Sequence, residues 1–170
     1  MKRTSRSSLE KARHPLPLVA AQNRPRCPEC DQGTLQAKRA DLTGKTQGES
    51  FTIPSKALVC PKCGFKAIPT EQMGEFALRI ADAWREKHGL LTSAQIRARR
   101  ADLRMSQRQF ASYLGVGVAS IKRWELGQIQ DEAMNNLMVL KTDLAAAKRN
   151  LVEIAALRIA GNPQPAPNAS

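Results

Sequence analysis

From Thr70 to Ala160 the apolar side chains recur at helical spacing, whereas before Thr70 they alternate or scatter. Met73, Phe76, Ala77, Ile80 and Trp84 follow the i, i+3, i+4, i+7 rule and predict an amphipathic helix that Thr70 caps and Gly89 ends. Thr92 with Gln95, and Ser106 with Gln109, have capping-box spacing, and Gly115 interrupts the helical pattern where a turn fits. Beyond Asp131, Leu137, Leu140, Leu144, Ala147, Leu151 and Ile154 recur at steps of three and four. They predict one long helix from Asp131 to about Ala160, closed by Gly161 and a Pro-rich tail. Between residues 26 and 69, Phe51-Thr52-Ile53 and Ala57-Leu58-Val59 read as short strands among turns.

The expected fold is therefore mostly α with a small β module. Its parts are a four-cysteine module over 26–69, a linking helix over 70–90, a helix-turn-helix over 91–130 and a C-terminal helix over 131–160. Residues 1–25, where Lys2, Arg3, Arg6, Lys11, Arg13 and Arg24 face the single acid Glu10, are expected to be a disordered basic tail, as are residues 161–170.

A helix-turn-helix needs a small residue where its helices cross, a turn residue tolerant of left-handed backbone, and an apolar lock. Ala111, Gly115 and the set Phe110, Leu114, Val116, Ile121 and Trp124 supply them. Ser106–Leu114 is then the supporting helix and Val118–Leu126 the recognition helix. Gln107, Arg108, Ser120, Lys122 and Arg123 fall outside the lock, free to meet DNA. The plainer reading of the same residues is a helical hairpin with Lys122 and Arg123 on a solvated face.

All four cysteines sit in Cys-x-x-Cys pairs, Cys27 with Cys30 and Cys60 with Cys63. Each such turn offers two thiolates to one side of an ion, so the two pairs together form a tetrahedral zinc site, one ion per chain, with room for a β-hairpin between them. Lys62 and Lys66 would help hold the thiolates deprotonated. A redox dithiol or a catalytic zinc is the alternative. A catalytic zinc usually keeps an open position beside a base, and the only histidines, His14 and His88, lie outside the motif, so structural zinc is expected.

A formal charge of +12 on 170 residues makes polyanions the leading partner class. Aromatic residues make up only 4%, few for a base-stacking platform, which favours duplex DNA over RNA. The sequence offers no membrane-span run, secretion signal, carboxylate cluster or nucleophile–base pair. A cytoplasmic, non-enzymatic protein is expected.

The segment Ser106-Gln107, Ala111, Gly115-Val116 and Ile121-x-x-Trp124-Glu125-x-Gly127 resembles the Cro/repressor-type helix-turn-helix. The resemblance implies that Gln107 contacts a phosphate, that Glu125 pairs with Arg100, and that Ser106 and position 119 also face DNA. Position 119 is Ala119 here, where relatives can carry a base-reading Asn. Adding Cys27-Pro-x-Cys30-x-x-Gly33 and Cys60-x-x-Cys63-Gly64, the chain from Cys27 to about Leu140 resembles MqsA-type antitoxins of bacterial type II toxin–antitoxin systems. That likeness implies a zinc module that binds a RelE-like endoribonuclease toxin and a dimeric helix-turn-helix that represses its operon at a DNA operator. A stand-alone regulator, with zinc only as a staple, is the alternative.

Overall fold

The computed structural model describes residues 25–160, so the basic N-terminal segment with His14, and the segment from Gly161 onward, lie outside the described residues. β1 (Gln36–Thr46) and β2 (Glu49–Val59) form a long antiparallel hairpin, and β3 (Lys66–Ala67) adds to β2. Both turn residues have positive φ, Gln47 at 48° and Gly48 at 80°, the backbone of the two-residue turn whose twist matches paired strands. Among the described residues six α-helices follow: α1 (Met73–Lys87), α2 (Ser93–Asp102), α3 (Gln107–Leu114), α4 (Val118–Glu125), α5 (Glu132–Thr142) and α6 (Leu144–Ala160). The described residues are mostly helical with a small sheet at their N-terminal end, as expected. Among the described residues no helix is long and apolar enough to cross a membrane.

The helical half is built on Ile96, Phe110, Ile121 and Met138, each at most 1% exposed, with Leu114 and Trp124 closing over them. Fully burying each such side chain stabilises by about 1.5–3 kcal/mol. Both capping boxes form, and Gly115 takes the left-handed conformation at φ 80° that lets α3 turn into α4.

Three expectations need correction. Thr70 does not cap α1: Pro69 opens a turn of 3-10 helix at Thr70–Gln72, and the α-helix starts at Met73. Met73 is 56% exposed and Ala77 is exposed too, because α1 is covered on two sides, one through Phe76 and Ile80 of the expected stripe and the other through residues outside it. Phe76 and Ile80 lie against Gly44 of β1, where an added Cβ would come within 2.8 Å of Ile80. On another side, the Leu78 backbone approaches Gly127 so closely that a Cβ there would sit 3.3 Å from its Cα.

The third correction concerns the long C-terminal helix, which is two helices. Asp143 has extended backbone (φ −120°, ψ 109°), and its Oδ1 accepts from the amides of Ala145 (3.0 Å) and Ala146 (3.1 Å), starting α6 afresh. The three-and-four spacing survives the break, so periodicity alone passes over it.

Candidate metal centre and nucleic-acid interface

Two similar turns build the cysteine cluster. The Asp31 amide donates to the Cys27 carbonyl and the Gly64 amide to the Cys60 carbonyl, each at 3.0 Å, with left-handed backbone at Asp31 (φ 50°) and Gly64 (φ 77°). Gly33 lets the turns meet: a Cβ there would sit 2.6 Å from the Cys60 sulfur. Cys27 Sγ lies 3.6 Å from Cys63 Sγ and Cys30 Sγ 3.7 Å from Cys60 Sγ, and all four sulfurs lie within 4.8 Å of one another. A tetrahedral ion with metal–sulfur bonds of about 2.3 Å needs sulfurs roughly 3.8 Å apart, so the four residues fit a metal ion.

The amide of Cys63, together with that of Lys62 and against the cost of burial, draws the Cys60 thiol down to about 6. At Cys63 the Phe65 amide pulls the same way, but burial and the neighbouring Cys27, Cys30 and Cys60 sulfurs push the thiol up to about 12. One thiol thus ionises readily while the crowd of sulfurs resists further charge, the situation a cation relieves. The expected aid from lysine is not seen at Lys66, whose ammonium donates to the Asp41 carbonyl (3.3 Å). Backbone amides act instead.

In the helical half, Arg100 grips Glu125 through Nε (2.6 Å) and a second guanidinium nitrogen (3.3 Å), the pair that the resemblance implies. Gln107 donates to the same carboxylate at 2.7 Å, and Arg97 donates to the Glu125 carbonyl. Burial opposes ionisation of Glu125, but hydrogen bonds from Arg100 and Gln107 hold its carboxyl below the usual range. This brace ties the second half of α2 and the start of α3 to the end of α4.

The candidate DNA-facing residues gather on α3 and α4. Arg108, Ala119, Lys122 and Arg123 are exposed, and Gln107 and Ser120 half-buried. Arg123 Nε donates to the Ala119 carbonyl (3.2 Å), which steadies the side chain along the helix. The Ser106 hydroxyl is engaged with Gln109 as the cap of α3.

Residues 25–147 match the family described as the antitoxin component of a bacterial toxin–antitoxin system, MqsA. The chain belongs to the MqsA antitoxin family. No curated protein matches it at a significant level. The match spans both halves of this MqsA-family antitoxin and stops early in α6.

Sequence reasoning missed the polar joint between the halves. Arg85 of α1 is fully buried and donates to Asp82 (2.7 Å), Gln130 (3.0 Å) and the carbonyls of Trp124 (3.0 Å) and Gln128 (2.7 Å). Asp82 in turn accepts from the Ser93 amide and hydroxyl. At the hairpin tip Glu49 accepts from Trp84 (3.1 Å) and Lys87 (2.5 Å) and bonds His88 (2.6 Å), and the Lys87 and His88 bonds hold its carboxyl below the usual range. The i, i+3 spacing of Asp82 and Arg85 was the available signal, though such pairs are common on solvated helix faces.

Proposed function

We propose that this MqsA-family protein holds one structural zinc ion on Cys27, Cys30, Cys60 and Cys63, binds a toxin through the hairpin module, and represses its own operon as a homodimer. The toxin would be a RelE-like endoribonuclease, and the protein itself no enzyme. The supporting observation is the α3–α4 unit: the Arg100–Glu125–Gln107 brace fixes the crossing of the two helices and leaves Lys122 and Arg123 exposed on the second.

In this reading α4 enters the major groove. Arg123 takes O6 and N7 of a guanine, with Ser120 and Lys122 at a base edge or phosphate and Ala119 making only apolar contact. An amide nitrogen carries two hydrogens, so Gln107 can serve Glu125 and a phosphate together, with Arg108 beside it and the Ser106 end of α3 facing the backbone. α6 supplies the dimer contact: Leu151 is 65% and Ile154 40% exposed in the single chain, an apolar surface that pairing would cover. Two recognition helices about 34–36 Å apart would then read a palindrome.

The test is a binding titration on the promoter of the protein's own operon, with co-expression of the neighbouring reading frame. Nanomolar, salt-dependent binding to a palindrome, and rescue of growth from a toxic neighbour, are expected. Binding with no preference for that promoter would sink the repressor reading. A harmless neighbour that does not associate with this chain would sink the toxin reading.

A further inference from the structure

The hairpin and α1 frame a solvent-open cavity of about 180 Å³, room for roughly six waters, lined by the exposed Arg39 and Lys56 and the half-buried Arg79 together with Ser55, Phe76 and Glu75. A second cavity of about 280 Å³ continues past Arg39 and Lys56 and adds Lys38. Arg39 and Lys56 stand directly opposite each other across β1 and β2, an arrangement that costs stability when no anion lies near. Arg79 is held in place by neutral acceptors only, the hydroxyl of the buried Ser55 (3.0 Å) and the carbonyl of Pro54 (2.8 Å). Among the described residues none of these three cations forms an ion pair, although Glu75 lines the same cavity.

We propose that this cavity is a binding site for a phosphate dianion carried on a small apolar group. Three cations against one carboxylate leave a local charge of +2. A phosphate monoester, with a second pKa of about 6, is largely dianionic at neutral pH and matches it. A carboxylate or a nucleic-acid phosphodiester carries a single charge and compensates half as much. Arg79 supplies an oriented guanidinium, the geometry that suits phosphate oxygens, while Arg39 and Lys56 close on the anion from the strands. Phe76 and Ile68 give the wall against which the ester group lies.

The test follows amide resonances of the zinc-loaded full chain during titration with inorganic phosphate, phenyl phosphate, dimethyl phosphate and acetate at matched ionic strength and pH 7.5. Saturable shifts at Ser55, Lys56, Phe76 and Arg79 are expected with inorganic phosphate, with phenyl phosphate tighter and dimethyl phosphate and acetate at least tenfold weaker. Arg39→Gln and Lys56→Gln should each weaken phosphate at least threefold, and the double variant abolish it, with metal content and promoter binding unchanged. Dimethyl phosphate binding as tightly as inorganic phosphate would overturn the dianion assignment. Equal shifts at Lys122 and Arg123, no saturation, or undiminished binding by a folded double variant would overturn the site.

Discussion

The two halves of this antitoxin reach a defined structure by opposite means. Around the cysteines, the buried cluster is Cys27, Leu35 and Cys60, with Cys30, Leu58 and Phe65 partly covering it, so two of its three buried members are candidate metal ligands. The helical half buries a contiguous apolar core and adds two polar sets, the buried Arg85 with Gln130 and Asn135, and the buried Glu125 with its partners Arg100 and Gln107. Among the described residues no buried side-chain nitrogen or oxygen lacks a partner. One half has too little apolar surface to fold on burial alone. The other has enough to carry the cost of internal charges.

Metal removal probes that contrast most strongly. Structural zinc in small modules contributes on the order of 10–16 kcal/mol of apparent binding free energy, so chelation or Cys60→Ser should unfold residues 26–69. Amide exchange should then report loss of protection in β1 and β2, with α2–α4 retained and promoter binding largely intact. Equal loss of protection in α3 and α4 would mean that the halves fold as one unit through α1.

Next come the internal charges. Replacing Glu125 with Ala leaves Arg100 without its counter-charge in a largely buried site, and Arg85→Met leaves Asp82 likewise; each should cost about 3–5 kcal/mol in denaturant unfolding of the helical half. Sulfur–metal stoichiometry should not move in either variant. A loss below about 1 kcal/mol for Glu125→Ala would demote the brace to a surface pair.

Arg123→Ala should cost about 1–3 kcal/mol on the operator and flatten sequence preference, whereas Gln107→Ala should weaken all duplexes more evenly. Parallel titrations on operator and scrambled DNA separate the two. Identical losses on both DNAs for Arg123→Ala would make it a phosphate contact.

The smallest effect is the pH dependence of the helical half. Glu125 has a folded pKa below its unfolded value, so its contribution is present above the ordinary carboxylate range near 4.3 and is lost as pH falls through the lower folded value. Acid unfolding followed by helical circular dichroism should show stability declining below about pH 4.3, and Glu125→Gln should flatten that decline. An unchanged slope in the variant would assign the acid sensitivity to other carboxylates.

Local chemistry made much of this legible in the chain. The Cys-x-x-Cys turns, both capping boxes and the left-handed Gly115 depend on residues within a few positions of one another. A side chain bonding an amide three residues on needs nothing from the rest of the molecule. The candidate metal ligands could be named for the same reason: each pair is preorganised by its own turn, and only their meeting is tertiary. Periodicity was weaker. It placed α1 but turned its buried faces wrongly at Met73 and Ala77, because it takes one stripe where α1 serves two neighbours. It also ran through Asp143, because a one-residue break that keeps the phase leaves no mark on spacing.

What the sequence by itself determined is therefore the local turns, the caps, the ligand pairs and the apolar lock of α3 against α4. Only the tertiary structure decided which faces the linking helix α1 turns to each half, that Arg85 is buried at the end of α4, and that Arg39, Lys56 and Arg79 share one cavity. A charged side chain looks the same in sequence whether water or four protein acceptors surround it. Its environment is set by segments as far away as Gln130 is from Arg85.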